Sequence, residues 1–381
     1  MAPAVFLAAG AAMVCYILVV YPILLALSGR RTARPVRKDM QFRTTVSTIL
    51  AVYNGEQFLH AKLESLLALA YPAELLDILV VSDGSTDGTD AIAESFQGRG
   101  VRLLRIPHGG KAAALNAGLR NISGEIVFFT DVRQPLDPRA LSLLVANFAD
   151  ASVGAVTGEL RYFNTGLAGE QEVMELYWRY ELWARNHHSR IDSIFAATGC
   201  IYAVRRSLAG PIPTDTLADD AVIPLRVYLR GYRVVFDPEA LAFDYPTAEG
   251  WEFRRKLRTL AGMWQVYIRM PELLTRPGRM RFHFLSHKFA RLVLPWAMLM
   301  VLAGTGGLAP SPLRTCLLAG EAVLAGLALA DFLVPKRFPL KHITAPARSF
   351  LAMNAAALFS VLVFLVPPEK LWGTTRVKTS R

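Results

Sequence analysis

Residues Asp77 to Asp90 read DILVVSDGSTDGTD. The apolar run from Ile78 to Val81 stops at Ser82-Asp83, a Gly-Ser-Thr-Asp-Gly-Thr turn follows, and a helical pattern begins near Asp90. An unbroken apolar strand that feeds a polar turn and then a helix predicts a strand buried on both faces of a parallel sheet, with helical crossovers covering it. Ligands of such sheets gather at the carboxyl ends of the strands, which is where Asp83 falls. A carboxylate there repels phosphate but can accept hydrogen bonds from a base or a ribose. The competing reading is local: Asp83 and Asp87 shape the turn and cap the helix.

Outward from this stretch the same alternation repeats. Val46 to Val52 reads as a strand ending at Tyr53-Asn54-Gly55-Glu56, followed by a helix through Leu59, Leu63, Leu66 and Leu67. A helix near Asp90 to Phe96 leads to a strand from Val101 to Ile106. Gly109-Gly110-Lys111 opens a helix through Leu115 and Leu119, and Glu125 to Thr130 forms a strand ending at Asp131. The order predicts an α/β fold with a mainly parallel, twisted sheet. Polar residues stand where such a fold places ligands. The Tyr53 ring can stack on a base. Lys111, at a helix start, can meet a phosphate with its ammonium and the neighbouring N–H groups. Asp131 can bind a divalent metal through oxygen. The local alternatives are a core-edge tyrosine, a solvated lysine and a capping aspartate.

The composition points to a membrane. Of 381 residues, 53% are hydrophobic and only 19% charged, against a net charge of +11. The positions of the charges favour lipid and phosphate rather than nucleic acid as partners. Cys15, Cys200 and Cys316 form no paired or metal-ligand spacing, so neither a disulfide framework nor a zinc site is expected. Ala4 to Leu27 is apolar and long enough to span a bilayer, and the cluster Arg30, Arg31, Arg34, Arg37, Lys38 follows it. This predicts an anchor that stays in the mature protein, with the next segment on the cytoplasmic side. From Trp251 to Met270, apolar residues recur at helical spacing between Arg254, Arg255 and Arg258. That segment and RMRFHFLSHKFARL after it read as interfacial helices, with His283 and His287 at the headgroup boundary rather than a metal pair. Leu292 to Ala309, Thr315 to Val334 and Phe350 to Val366 are candidate spans. The middle one carries Glu321, facing other helices or a polar path, and Asp331, near enough to its end to reach water. A basic loop holds Lys336, Arg337, Lys341 and Arg348; the basic tail with Lys370, Arg376, Lys378 and Arg381 falls outside after four spans, against the positive-inside rule.

The motifs AVYNGE, VVSDGSTDGT, GGKAAALNAGL, VFFTDVRQPLDP, ATGCIYAVRRS and LADDAVIPLRVYLRGYRVVFDPEA together resemble glycosyltransferase family 2, with its GT-A fold, across residues 45–262. With the flanking apolar segments, the chain resembles the membrane-embedded branch that includes cellulose, chitin, hyaluronan and poly-N-acetylglucosamine synthases. The resemblance implies an inverting hexosyltransferase that takes a nucleotide-sugar donor, usually a UDP-sugar. It implies that Ala51 and Tyr53 border the base, Asp83 binds the nucleotide, Lys111 lies near the diphosphate, and Asp131, the first aspartate of a DxD motif, holds Mg2+ or Mn2+. Thr198, Gly199 and Cys200 match the acceptor region, and Asp220 of Asp219-Asp220 matches the catalytic base, beside a capping alternative for the pair.

Two departures stand out. Arg133 replaces the second aspartate of DxD, so either Asp131 holds the metal with water and diphosphate oxygens or Arg133 supplies part of its charge. In Arg255-Lys256-Leu257-Arg258-Thr259, the counterpart of the processive signature QxxRW, Arg258 survives as a diphosphate ligand but the glutamine and tryptophan do not. The expected organisation is an anchor (1–29), a cytosolic GT-A domain (40–250), interfacial helices (251–290), about three membrane helices (291–366) and a basic tail (367–381), in a multi-pass cell-membrane protein. Three functions compete: a polysaccharide synthase with coupled export, a transferase adding one sugar to a lipid-linked acceptor, and a non-catalytic nucleotide-sugar-binding subunit of a secretion assembly. The aspartates argue against the last, since binding alone needs no base.

Overall fold

The structure, a computed structural model, describes residues 1–31, 33–162, 170–244, 251–278, 280–335 and 338–366. The chain divides into two compact units, one of Thr32–Phe163 with His188–Pro246, the other of Met1–Arg31, Asn164–His187 and Thr247–Arg381.

The first unit is built on a seven-stranded sheet in the order β3-β2-β1-β4-β6-β5-β7. Its strands are β1 (Val46–Val52), β2 (Leu76–Asp83), β3 (Val101–Ile106), β4 (Ile126–Thr130), β5 (Val153–Tyr162), β6 (Tyr202–Arg205) and β7 (Arg233–Asp244). All five residues of β4, and all but one of β1, are buried, as a strand covered on both faces demands. β1 pairs in parallel with β2 and β4, and β2 with β3. The sheet is not parallel throughout: β6 lies antiparallel to both β4 and β5, and β5 pairs in parallel with β7. The strand order reverses between β1 and β4, the point where sheets of this kind open a crevice at their carboxyl edge. Register aligns that edge: Val52 pairs with Ser82 and Leu50 with Thr130, so Tyr53, Asp83 and Asp131 leave neighbouring strands at nearly one level. Leu59, Leu63 and Leu66 of the helix Glu56–Leu67 are fully buried. At roughly 1.5–3 kcal/mol for each buried leucine, such contacts outweigh the weak helix propensity of any one residue.

The second unit is helical. Ala2–Ser28, Arg281–Gly307, Pro312–Ala330 and Lys341–Phe364 are each long and apolar enough to cross a membrane. The first two pack at small residues: a Cβ on Gly10 would lie 2.7 Å from the Ala297 carbonyl oxygen, and one on Gly304 would lie 2.5 Å from the Leu7 nitrogen. Close backbone approach of this kind drives helix association where no hydrophobic difference between lipid and side chain exists.

Several sequence expectations shift in this unit. The last apolar helix starts at Lys341, so Lys341 and Arg348 are helical rather than in a loop. Both bind Asp331, which does not reach water but is 2% exposed, with Lys341 Nζ at 2.9 Å and Arg348 Nε at 2.5 Å. Thr344 donates a third bond to the same carboxylate at 2.7 Å. A carboxylate among apolar helices is tolerable only when so compensated. Glu321 is partly buried. His283 and His287 are buried among protein side chains, inside one continuous helical segment that begins at Arg281. The helix Trp251–Arg269 exposes Arg254 and Arg258 and buries Leu257, Ala261 and Val266; Trp264 from it donates to the Ser360 hydroxyl at 3.1 Å, so part of its apolar side meets protein. The side chains of Arg30 and Arg31, residues Lys336 and Arg337, and the tail with Lys370, Arg376, Lys378 and Arg381 lie outside the described residues.

Candidate active site

The carboxyl ends of β1 and β2 are tied together by their own turns. The Asn54 side chain accepts from Thr86 N at 2.8 Å, Gly55 N donates to the Thr89 hydroxyl at 2.8 Å, and the Asp87 carboxylate accepts from Glu56 N at 3.1 Å and Thr89 N at 3.0 Å. Asp87 therefore takes the turn-shaping role. Asp83 does something the spacing does not reveal. It is 3% exposed, and its two oxygens accept from Gly109 N at 2.8 Å and Gly110 N at 2.9 Å. It thus latches the loop that opens the helix Lys111–Arg120. Gly110 sits at φ +84° and Gly84 at φ +68°, and a Cβ on Gly84 would come within 2.7 Å of His108 N; glycine is required for the two turns to approach. His108 Nδ1 donates to the Asp83 carbonyl oxygen at 2.9 Å, and its ring lies against Tyr53 with centroids 4.2 Å apart. Tyr53 is half exposed, so the pair offers an aromatic surface at the edge where β1 and β2 end. Ala51 is partly exposed on β1.

On the other side of β1 stands a carboxylate cluster. Lys111 Nζ lies 3.0 Å from Asp131 Oδ1 and 3.3 Å from Asp219 Oδ2. Partial removal from water opposes the lysine charge, but Asp131, Asp219 and Asp220 outweigh it and hold the ammonium above its ordinary pKa. Burial likewise opposes the charge on Asp131, and Lys111, with smaller help from Lys62 and Arg133, holds it below the usual carboxylate range. Asp219 and Asp220 are the first two residues of the helix Asp219–Leu229, whose N-cap is Ala218. Neither aspartate caps the helix; both sit in its first turn, where the helix dipole favours negative charge. Asp220 packs on the turn at Gly199: its Oδ2 would lie 3.2 Å from a Cβ on Gly199, and its carbonyl accepts from Ala197 N at 2.8 Å. Tyr202 on β6 lies beneath, fully buried, its hydroxyl pushed up in pKa by burial and by Asp219 and Asp220.

The remaining expected residues divide. Gly199 is partly buried, whereas Thr198 and Cys200 are buried. The Thr198 hydroxyl donates to the Gly158 carbonyl at 2.9 Å, and burial raises the Cys200 thiol well above its normal range. These side chains hold the turn rather than face a ligand. The Arg133 guanidinium is held by Asp244 at 2.5 Å, with Gln134 donating to the same oxygen at 2.8 Å. Arg258 belongs to the helical unit.

His108, Asp244, Tyr202 and Lys62 are absent from the sequence reading. Lys62 had a signal: it follows Leu59 by three residues and precedes Leu66 by four, which puts it on the buried stripe of its helix. It is 1% exposed. Its Nζ donates to the Thr130 hydroxyl oxygen at 2.7 Å and to the Gln134 carbonyl at 2.5 Å, spanning both ends of the segment that carries Asp131 and Arg133. Burial lowers its pKa to about 7.

Among the described residues no three His, Cys, Asp or Glu side chains converge on one metal position. The donor chemistry still suits a hard divalent cation. Mg2+ and Mn2+ take oxygen ligands, and one or two protein carboxylates suffice when substrate phosphates supply the rest. The ammonium of Lys111 between Asp131 and Asp219 shows that this position favours positive charge.

Residues 47–210 match the family model for glycosyl transferase family 2. The chain is 26% identical over 261 residues to the probable glycosyltransferase YdaM of Bacillus subtilis, covering 65% of this chain and 62% of that protein. It is 26% identical over 242 residues to the poly-beta-1,6-N-acetyl-D-glucosamine synthase of Staphylococcus epidermidis, covering 61% of this chain and 58% of that one. The chain therefore spans about three fifths of the length of these relatives. Its fold is similar to that of the mannosyltransferase PcManGT from Pyrobaculum calidifontis, solved in complex with GDP-Man and Mn2+, with a TM-score of 0.75, 24% sequence identity, and coverage of 94% of this chain and 99% of that one.

Proposed function

Given that this chain carries a glycosyl transferase family 2 domain over residues 47–210, we propose that it moves a sugar from a nucleoside-diphosphate sugar, in the first place a UDP-sugar, to the hydroxyl of a growing glycan, with inversion at the anomeric carbon. The observation that carries this reading is the cluster in which Lys111 joins Asp131 to Asp219, beside Asp220, at the strand-order reversal. The base stacks on Tyr53 and His108. Asp83 holds the Gly109-Gly110 loop and offers its remaining lone pairs to the nucleoside. Lys111 and the free N–H groups of the first turn of its helix meet the diphosphate. Asp131 would hold a divalent metal, Mg2+ or Mn2+, which when bound neutralises charge that grows on the departing diphosphate.

Asp220 takes the proton from the acceptor hydroxyl as its oxygen bonds to the anomeric carbon and the bond from that carbon to the diphosphate breaks. The nucleoside diphosphate leaves with the bonding pair. Arg133, held by Asp244, orients the segment after Asp131 rather than replacing the metal.

We read the chain as a multi-pass cell-membrane protein with its transferase unit in the cytoplasm, making a β-linked polysaccharide and coupling synthesis to export. Four apolar helices, where tethering needs one, favour this. The missing glutamine and tryptophan around Arg258 favour a second reading, one sugar added to a lipid-linked acceptor, because the stacking surface for a sliding glycan is gone. Incubating the purified chain with a panel of nucleotide sugars and sizing the products separates the two. In the same assay Asp220→Asn is expected to lose transfer by about 10²–10⁴-fold while binding the donor normally. Turnover within a few-fold of wild type would remove Asp220 from the chemistry.

A further inference from the structure

The helix Glu56–Leu67 carries an amine that the proposed chemistry does not use. Leu59, Leu63 and Leu66 of this helix are fully buried, and Lys62, on the same face, is only 1% exposed. It forms no ion pair among the described residues. Both of its partners are neutral oxygens, the Thr130 hydroxyl at 2.7 Å and the Gln134 carbonyl at 2.5 Å. An amine withdrawn from water in this way lowers stability, and burial pushes its pKa down to about 7 against weaker opposing pulls from Cys200 and Asp131. A leucine in its place would complete the stripe and bury apolar surface without that cost. Features that lower stability gather where activity needs them, and the partners of Lys62 identify the place.

The two oxygens bracket Asp131. Thr130 is the last residue of β4, Asp131 follows it directly, and Gln134 comes three residues later. The Thr130 hydroxyl is fixed in turn, donating to the Cys200 carbonyl at 2.8 Å, and the Gln134 side chain donates to Asp244 at 2.8 Å. Lys62 thus closes the stretch from Thr130 to Gln134 into a loop of fixed span. We propose that Lys62 is a positioning residue: by holding Thr130 and Gln134 it fixes the direction of the Asp131 carboxylate, and with it the affinity of the chain for a divalent cation. Mg2+ demands near-ideal octahedral geometry, so a carboxylate on a segment free to swing binds it less well. Groups that orient a ligand in this way are typically worth about 10–100-fold in metal affinity.

The proposal rests on the reading of Asp131 as the metal ligand, and the two fail distinguishably. The full chain in an uncharged detergent is titrated with Mn2+ in the presence of UDP, and free Mn2+ is followed by electron paramagnetic resonance against a blank holding the same UDP. UDP binding in EDTA is measured alongside by calorimetry, and circular dichroism checks that each variant is folded. Lys62→Met is expected to weaken Mn2+ binding about 10–100-fold. It is expected to leave the metal-free affinity for UDP unchanged, because Tyr53, His108 and the loop held by Asp83 lie on the other side of β1; a general loosening of the fold would weaken both. Thr130→Val keeps the lysine, removes only the hydroxyl between Lys62 and Cys200, and is expected to weaken Mn2+ binding in the same direction by about tenfold. Mn2+ bound as tightly by Asp131→Ala as by wild type would remove the reading of Asp131 and the proposal with it. Loss of Mn2+ from Asp131→Ala, with wild-type affinity in both Lys62→Met and Thr130→Val, would overturn the proposal alone, as would a parallel loss of Mn2+ and UDP affinity.

Discussion

Lys62→Met removes a buried amine from beneath the Asp131 segment while keeping most of its volume. In the folded protein the Lys62 pKa is lowered by burial from 10.5 to about 7, so between those values the unfolded chain binds a proton that the folded chain does not. Stability rises with pH wherever the unfolded state binds more protons. The destabilisation from Lys62 is therefore fully present below pH 7 and is relieved as pH climbs towards 10.5. The limiting slope is about 1.4 kcal/mol per pH unit, which gives roughly 2–3 kcal/mol of added stability for wild type between pH 7 and pH 9. The geometry agrees: a neutral amine still has two N–H bonds, one for the Thr130 hydroxyl oxygen and one for the Gln134 carbonyl, and the Thr130 hydroxyl donates its own hydrogen bond to the Cys200 carbonyl at 2.8 Å. Methionine cannot donate. It leaves two buried acceptors short of a partner, at about 1–3 kcal/mol each, and has no titration. Denaturant unfolding of the detergent-solubilised chain at pH 7 and pH 9 measures both effects. Lys62→Met is expected to be less stable than wild type at pH 9 and to lack the wild-type gain between the two pH values. Parallel pH profiles for the two proteins would refute the reasoning.

Three other outcomes follow from the same geometry. Asp83→Ala should release Gly109 and Gly110 and weaken nucleoside-diphosphate binding by tenfold or more; an unchanged dissociation constant by calorimetry would mean that the loop holds itself. Transfer should require Mg2+ or Mn2+ and be lost in Asp131→Ala, and full turnover in EDTA would move the leaving-group role to Lys111. In sealed vesicles with the transferase unit outward, polymer protected from an added glycan hydrolase would support coupled export, whereas wholly digested polymer or single-sugar lipid products would sink it.

The half of the sheet that carries the nucleotide motifs was legible in the sequence because its strands are apolar runs with turn residues at both ends. β1 and β3 have the bounds their patterns predict, and β2 differs only by extending through Leu76 and Asp83. β6 was not legible as a strand: four residues are too few for a periodicity. Nor was β7, whose register against β5 shifts between Thr157 and Glu159 and which carries Pro238, a residue that reads as a strand breaker. The carboxyl-edge placement of Tyr53, Asp83 and Asp131 also came from sequence, since strand ends are local features.

What each charge touches did not. Apolar periodicity reports which side of an element is buried, a property of neighbours three or four residues apart. Partners of buried charges are chosen by crossovers and helix packing tens to hundreds of residues away. Asp83 finds Gly109 and Gly110, Arg133 finds Asp244, Asp331 finds Arg348 and Glu181 finds Arg291. Each of these pairings answers the need to compensate a polar group withdrawn from water. That need is visible in the sequence only as a charge in an apolar stretch, and tertiary structure alone decides which partner meets it.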